Sequence, residues 1–277
     1  MTALAFRLPV PRAELYVEVS GDGPPVLLIA GAGGDAGLFD GVAERLSKTC
    51  TVAAYDRRGN SRSVATAGWQ RTDLAEQADD AAAVIAALGA GPAVVFGSSS
   101  GGAIALVAAL RHGDHIRAAA VHEPSFVGAL TDGPSLIAGL AAQLEEERRE
   151  HGDGGALERF LDRAGGIQAL AHVAPAVAMR VRDNGGVFID MEFMPFSTWS
   201  PAPGLIRRLV GRLELCVGDS SPPFIEGIVH GLGRAAGCEP RIIPGSHLPY
   251  LTHPDAVADV IDEFVRGDRA EGADRRS

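Results

Sequence analysis

The sequence predicts an α/β fold in which a mostly parallel sheet is covered by helices on both faces. Short apolar runs alternate with amphipathic helical patterns along most of the chain, as expected for a parallel sheet buried between helices. A strand, a glycine-rich turn and a helix follow one another in residues 92–111. The alternation stops near residue 124 and resumes near residue 213. The sequence therefore also predicts a helical insertion within the α/β core.

The predicted strands are apolar runs bounded by glycine, proline or polar turn residues. In order they are Leu15–Val19, Pro25–Ala30, Thr51–Tyr55, Pro92–Phe96, Ile116–His122, Leu213–Val217 and Arg241–Ile243. The core helices are periodic segments, several of which begin at a capping residue or proline or end at glycine. In order they are Gly37–Leu46, Asp73–Leu88, Gly102–Arg111, Pro223–Ala236 and Pro254–Arg266.

The middle of the chain shows helical patterns without intervening strands. We expect helices at Ser135–Glu150, Leu157–Ala164 and Val173–Val181. The first two are separated by the turn-forming residues Gly152–Gly155.

These patterns divide the chain into a core and an insertion. We expect residues 1–124 and 211–266 to form the α/β core and residues 125–210 to form an inserted helical domain. Residues 267–277 are charged and carry no apolar side chain larger than alanine. That composition predicts a disordered tail.

Composition and charge exclude several functions. The chain has 277 residues, of which 46% are hydrophobic, and a net charge of −10 without a basic stripe. Nucleic acid is therefore not an expected partner, and no apolar run is long enough to predict a membrane partner. Cys50, Cys216 and Cys238 are isolated, which indicates buried thiols in a reducing, cytoplasmic compartment. No metal or cofactor motif is present, so we expect no cofactor, and the sequence leaves the oligomeric state open.

The segment Gly97–Gly101 has the Gly-x-Ser-x-Gly pattern between a predicted strand and a predicted helix. Only Ser99 in this segment has glycine both two residues before and two residues after it. A serine on such a turn is presented at the top of a sheet, beside the N–H groups of the helix N-terminus. We therefore predict Ser99 as a nucleophile, the alternative being a Gly/Ser turn without chemistry.

A serine hydroxyl needs a base that accepts its proton. His247 lies between the last predicted strand and the last predicted helix. This places it at the sheet edge where ligands and catalytic groups collect. The other seven histidines fit surface, core or helix-start positions. His247 is therefore the predicted base.

Two backbone N–H groups are expected to form an oxyanion hole. One belongs to Ser100, the residue after the nucleophile. The other comes from the loop Gly31–Asp35, with Ala32 as the first choice and Gly33 as the alternative. The same loop can also cap the following helix through Asp35.

These motifs together resemble the α/β-hydrolase superfamily over nearly the whole chain. The segments that carry the resemblance are Ala30–Gly34, Asp56–Ser63, the serine turn and Gly245–His247. In family members the second segment is often Asp-x-Arg-Gly-x-Gly-x-Ser, from which Ser61 departs, and many members have histidine where Ala30 stands. The resemblance implies a serine-nucleophile enzyme of esterase or lactonase type. It also implies that the helical insertion is a lid over the active site.

The carboxylate that orients His247 has two candidates. In many family members it follows the strand that is Leu213–Val217 here, in a Gly-x-x-Asp pattern, but this position is Ser221 and Asp219 comes two residues early. Some members, including haloalkane dehalogenases, instead place the acid where Glu123 ends the strand Ile116–His122. We favour Glu123, because a carboxylate at the end of a buried strand needs a partner, with Asp219 as the alternative.

The expected reaction is hydrolysis of a carboxylic ester, lactone or thioester through an acyl-serine intermediate. The serine sets the chain apart from the dehalogenase and epoxide-hydrolase branches, which resemble it but use an aspartate nucleophile. The expected partner is a small-molecule substrate. Large apolar residues of the insertion are candidate substrate contacts or, equally, packing residues; they are Met191, Phe193, Met194, Phe196 and Trp199.

Two other functional classes stay open at this point. One is a lyase or eliminase that uses His247 as a base without acylation. The other is a catalytically silent binding protein that keeps the pocket. The fold alone does not decide among the three.

Overall fold

The computed structural model describes residues 4–165 and 167–267, in which nine strands form one twisted sheet. The strands are β1 Leu4–Val10, β2 Ala13–Ser20, β3 Pro25–Ile29, β4 Thr51–Tyr55, β5 Val64–Ala65, β6 Ala93–Ser98, β7 Ile116–His122, β8 Leu213–Gly218 and β9 Arg241–Ile243. Their order across the sheet is β1-β2-β4-β3-β6-β7-β8-β9, and β5 pairs with β2 outside this series. The six strands β4, β3, β6, β7, β8 and β9 are parallel, whereas β2 pairs antiparallel with its neighbours. The predicted α/β fold class is confirmed.

The sequence analysis did not predict β1 or β5. β1 forms a hairpin with β2 at the sheet edge, and its residues alternate between exposed and half-buried positions. It contains Pro9, which lowers the strand signal and is tolerated because edge strands have one unpaired side. β5 has only two residues, and its pairing with Ala13 and Glu14 is a long-range contact that no local pattern announces.

Eleven helices are found in the described residues. They are α1 Asp40–Leu46, α2 Leu74–Leu88, α3 Ser100–Arg111, α4 Gly133–Gly165, α5 Pro175–Asp183, α6 Gly185–Val187, α7 Phe193–Thr198, α8 Pro203–Ile206, α9 Pro223–Ala236, α10 Pro249–Thr252 and α11 Pro254–Arg266. Short 3₁₀ turns accompany them, and a π-helical turn at Phe188–Glu192 joins α6 to α7. Of the predicted core helices, Gly37–Leu46 is divided into a 3₁₀ turn at Ala36–Phe39 and α1.

Between β7 and β8 the described chain is helical. The predicted helices Ser135–Glu150 and Leu157–Ala164 lie within one element, α4, rather than being separated by a loop. Gly152 has φ +70° inside α4, so the glycine-rich segment produces a kink where we expected an interruption. We refer to residues 125–210 as the helical segment; their role as a separate lid domain stays a prediction.

Three further observations complete the fold. No helix in the described ranges is both long and apolar enough to span a membrane. The three cysteines are free thiols, with Cys50 and Cys216 buried and Cys238 half-buried. Of the predicted disordered tail 267–277, all residues after Gly267 lie outside the described residues.

Candidate active site

Ser99 occupies the tight turn between β6 and α3. Its backbone has φ +56° and ψ −123°, a left-handed conformation that is strained for a residue with a side chain. A Cβ atom on Gly97 would lie 2.1 Å from the carbonyl oxygen of Gly101, and one on Gly101 would lie 2.0 Å from that of Ile29. Both flanking glycines are therefore required by close backbone contacts, which is the physical content of the Gly-x-Ser-x-Gly pattern.

His247 and Glu123 are brought together from different ends of the chain. The Nδ1 atom of His247 lies 2.6 Å from Oε2 of Glu123. Glu123 directly follows β7, its side chain is fully buried, and its backbone has φ +42°. Its other oxygen, Oε1, accepts hydrogen bonds from the N–H of Gly218 at 2.8 Å and from the hydroxyl of Ser221. Backbone strain at both Ser99 and Glu123 is typical of a functional site.

The surroundings of Glu123 keep its carboxyl group ionised. Burial alone would raise the pKa of Glu123, but the hydrogen bond with His247, the charges of the neighbouring histidines and the Gly218 N–H together lower it to about 2. At neutral pH the carboxylate is therefore in the form that holds the Nδ1 proton of His247 and stabilises a cationic ring.

Asp219, the alternative acid, forms no hydrogen bond with His247 within the described residues. Its side chain is exposed, and its Oδ1 accepts hydrogen bonds from the Ser220 hydroxyl and the Gly245 N–H. Ser221, at the position where the family pattern expects aspartate, donates its hydroxyl proton to Glu123 instead. The geometry thus favours Glu123 over Asp219 as the partner of His247.

The loop after β3 brings the other predicted oxyanion donor to the same edge of the sheet. β3 is the direct neighbour of β6, so Ala32 follows one strand and Ser100 follows the other. Both residues are buried. Within the described chain, neither backbone N–H donates a hydrogen bond to a protein acceptor. Two N–H groups without protein partners at adjacent strand ends are suited to binding an oxyanion.

A cavity of about 250 Å³ lies over Ser99 and His247. Its apolar walls come from the helical segment and from α9; they include Val127, Leu140, Phe160, Phe193, Ile225 and Ile228. The buried hydroxyl of Ser125 also borders the cavity and has no hydrogen-bond partner in the described chain. The cavity therefore combines an apolar interior with a few polar groups near the two predicted catalytic residues, as small-molecule sites do.

The five predicted substrate contacts have different positions. Phe193 lines the cavity. Met194 is 47% exposed and Met191 is half-buried. Phe196 is buried against the guanidinium of Arg57, and Trp199 packs on Phe126 with 4.9 Å between ring centroids. Among the five, only Phe193 lines this cavity in the described chain, and their roles in binding stay predictions.

His122 is a neighbour of the site for which the sequence analysis considered only a core position. It is fully buried at the end of β7, where its Nδ1 lies 2.9 Å from the hydroxyl oxygen of Ser98. Its Nε2 has no hydrogen-bond partner within the described chain and lies 3.5 Å from Oε1 of Glu123. Burial lowers the pKa of His122 to about 4, so the ring is neutral at neutral pH. The sequence feature that indicates the place of His122 beside the site is its position directly before Glu123.

Comparison with known proteins supports the fold assignment. The model of the alpha/beta hydrolase fold family matches residues 24–151, slightly less than half of the chain. This match and the similar solved structures support the α/β-hydrolase superfamily, and the chain has the α/β-hydrolase fold. Its sheet order and the strand–turn–helix at Ser99 agree with this fold.

Three similar proteins extend the comparison. The uncharacterized hydrolase YraK of Bacillus subtilis is 42% identical over 124 residues, which are 45% of this chain and 46% of that protein. The chain thus spans about half the length of this relative. Zearalenone hydrolase of Bionectria ochroleuca is 29% identical over 91% of this chain and 93% of that protein. The malate-bound structure of a thermophilic esterase from Thermogutta terrifontis shares the fold, with a TM-score of 0.74 at 22% identity over 97% of this chain and 100% of that one. The named relatives support a hydrolytic enzyme.

Proposed function

We propose that this α/β-hydrolase is a serine hydrolase that cleaves a carboxylic ester, lactone or thioester through an acyl-serine intermediate. The observation that carries the proposal is the 2.6 Å contact between His247 Nδ1 and the buried carboxylate of Glu123. This contact leaves Nε2 as the basic nitrogen of His247, and the ring borders the same cavity as Ser99. A base, its orienting acid and a strained serine then lie around one pocket.

In the proposed reaction the hydroxyl oxygen of Ser99 attacks the acyl carbonyl while His247 Nε2 takes the proton. The negative charge that develops on the carbonyl oxygen is bound by the N–H groups of Ala32 and Ser100. His247 then returns the proton to the leaving alcohol or thiol, and the bond between the acyl carbon and that group breaks. Water, activated by the same histidine, attacks the acyl-serine and releases the acid and free Ser99.

The cavity supports an apolar acyl group of small to medium size as the substrate. Apolar side chains form most of its walls, and its volume of about 250 Å³ limits the group that fits. The relatives named as hydrolases are consistent with this class and include one that acts on zearalenone.

Labelling with a fluorophosphonate probe, followed by mapping of the modified peptide, tests the proposal. Attachment at Ser99, absent in Ser99→Ala, together with hydrolysis of p-nitrophenyl butyrate, is the expected result. Ser98→Ala is a neighbouring control, because Ser98 faces His122 rather than the cavity. A folded protein that is neither labelled nor active would point instead to a lyase or eliminase, or to a silent binding protein. Product analysis in ¹⁸O-labelled water separates a lyase or eliminase from a hydrolase, and a silent binding protein gives no product.

A further inference from the structure

Arg57 connects the helical segment to the loop that carries Ala32. Its guanidinium donates to both carboxylate oxygens of Glu192, at 2.7 and 2.6 Å, and neither side chain is exposed to solvent. The same guanidinium donates through Nη2 to the carbonyl oxygen of Gly31 at 2.9 Å. One buried cation is therefore bonded to a carboxylate of the helical segment and to a backbone carbonyl beside the proposed oxyanion hole.

The carbonyl of Gly31 and the N–H of Ala32 belong to the same peptide group. Because a peptide group is planar and trans, its C=O and N–H point in opposite directions. A donor that holds the Gly31 carbonyl therefore also fixes the direction of the Ala32 N–H. Rotation of this one peptide would remove the N–H from the hole and turn a carbonyl oxygen toward the substrate oxyanion.

We propose that Arg57 and Glu192 are positioning residues that orient the Gly31–Ala32 peptide for binding of the substrate oxyanion. This inference rests on the proposed function, since it assigns the two residues to the same acyl-transfer step. Arg57 acts on the peptide directly, together with the N–H of Gly34, which donates to the same carbonyl oxygen at 3.1 Å. Glu192 acts through Arg57, whose guanidinium plane it fixes with two hydrogen bonds.

The surroundings of Glu192 are built to hold the carboxylate in one place. Oε1 also accepts a hydrogen bond from the side-chain amide of Asn60 at 3.1 Å and a longer one from Gln77 at 3.4 Å. Glu192 is the last residue of the π-helical turn, a local distortion that is frequent at functional sites. A buried ion pair is a poor source of stability compared with packed apolar residues. Its geometric constraint on the Gly31 carbonyl gives the pair a role that apolar side chains could not fill.

The helical segment holds the same loop on the other side of Ala32. The side-chain amide of Asn184 donates to the carbonyl oxygen of Gly33 at 2.5 Å. Arg180 donates to Asp35 at 2.6 and 3.0 Å. The part of the helical segment between residues 180 and 192 is therefore bonded to both sides of the proposed oxyanion donor, which favours a fixed loop over one that reorganises on binding.

Arg58 provides a matched control for Arg57. It is equally buried and forms a two-bond ion pair with buried Asp80, at 2.9 and 2.7 Å. It also donates to a backbone carbonyl, but that of Pro11, on the far side of β2 from the active site. Replacing either arginine by lysine keeps the charge and removes the fork of parallel donors. Only the Arg57 change alters the bond to Gly31.

The experiment compares Arg57→Lys with Arg58→Lys in steady-state hydrolysis of p-nitrophenyl butyrate. We expect Arg57→Lys to lower kcat about 10- to 100-fold with KM within about 3-fold, because complete loss of an oxyanion donor costs about 10²–10³ in kcat. Arg58→Lys should stay within about 3-fold of the parent. Inhibition by a butyl trifluoromethyl ketone, which forms an anionic adduct, should weaken in parallel with kcat. Inhibition by the corresponding methyl ketone should not change.

Equal losses in the two lysine variants, or a fall in kcat without weaker trifluoromethyl ketone binding, would overturn the inference. If Arg57→Lys does not fold, Glu192→Gln is compared with Asp80→Asn as its control. These variants change the carboxylate of each ion pair instead of its arginine. Loss of activity in both of those variants alike would also overturn it. A parent enzyme that is not labelled at Ser99 and does not hydrolyse the ester refutes the proposed function itself, which these variant comparisons cannot do.

Discussion

Replacement of Glu123 by glutamine tests the proposed acid with almost no change in shape. The Oε1 position accepts hydrogen bonds from the Gly218 N–H and the Ser221 hydroxyl. Because the backbone N–H can only donate, the amide oxygen of glutamine must occupy this position, and the amide NH₂ must then replace Oε2. The NH₂ group would face Nδ1 of His247 at about the present separation of 2.6 Å.

That arrangement forces the wrong tautomer on His247. Nδ1 becomes an acceptor, so the ring proton moves to Nε2, the nitrogen that has to accept the proton of Ser99. The carboxylate that would stabilise the imidazolium is lost at the same time. An acid-to-amide change with this consequence lowers kcat about 10⁴-fold in the serine protease triad, and we expect about 10³–10⁴-fold here. This corresponds to about 4–5.5 kcal/mol in the activation free energy.

The assay is steady-state hydrolysis of p-nitrophenyl butyrate at pH 7.5, with thermal unfolding followed by circular dichroism. The matched control is Asp219→Asn, which keeps an acceptor for the Gly245 N–H and should retain activity within about 3-fold of the parent. A folded Glu123→Gln enzyme that keeps more than a tenth of the parent activity would refute the reasoning. So would a larger loss in Asp219→Asn, which would move the acid to the β8 loop.

Three other predictions use the same group of residues. The folded pKa of Glu123 is about 2, below its usual 4.5, so its stabilising contribution is complete above about pH 4.5 and is lost as pH falls toward 2. The difference in melting temperature between the parent and Glu123→Gln should accordingly shrink between pH 6 and pH 3, and a constant difference would contradict this. Ser221→Ala removes one of the two donors to Oε1 and should lower kcat about 5- to 10-fold, equivalent to about 1 kcal/mol, whereas Ser220→Ala, one residue away and exposed, should not. Phe193→Leu opens a wall of the cavity and should move the preferred p-nitrophenyl ester to a longer acyl chain, while Met194→Leu, on an exposed neighbour, leaves the preference unchanged.

Local sequence was sufficient for the central parallel strands because they are largely buried on both faces. β4 and β7 have the predicted bounds, since mainly apolar runs between turn residues leave little choice of ends. β9, at the sheet edge, also has the predicted bounds. The edge hairpin was missed because β1 has little buried surface, so its pattern carries only a weak signal. Its pairing with β2 becomes evident only when the sheet is assembled.

The positions of the proposed nucleophile and base could also be predicted from local sequence. Ser99 follows from two glycines, and His247 follows from its place between the last strand and the helices after it. The proposed acid could not be predicted from local sequence, because the choice between Glu123 and Asp219 depends on how β7 and β8 lie side by side. In the structure His122 pairs with Cys216. This register places the Gly218 N–H within 2.8 Å of Glu123.

Which residues line the cavity depends on the helical register, and this register cannot be read from the sequence. The sequence presents the large apolar residues of Met191–Trp199 alike as candidates for substrate contact or packing, but a π-helical turn at Phe188–Glu192 precedes α7. A π turn adds a residue to the helical repeat and rotates every later side chain. With this rotation, Phe193 lines the cavity, whereas the next residue, Met194, is exposed to solvent. Glu192, at the end of the turn, is buried beside Arg57.

The arrangement around Ser221 explains how the acidic residue can follow either β7 or β8 in the same fold. β7 and β8 are adjacent and parallel, so their carboxyl ends lie side by side at the edge that His247 faces. A carboxylate at position 123, after β7, or at position 221, three residues after the end of β8, can therefore reach the same histidine nitrogen. In this chain the β8 loop supplies donors, the Gly218 N–H and the Ser221 hydroxyl, and β7 supplies the acceptor, Glu123. An aspartate at position 221 would place a second carboxylate beside Glu123 in a buried site, and their repulsion would raise the pKa of one of them. Serine at position 221 and glutamate at position 123 therefore form one electrostatic unit, and we expect that either carboxylate position, but not both together, supports an active site.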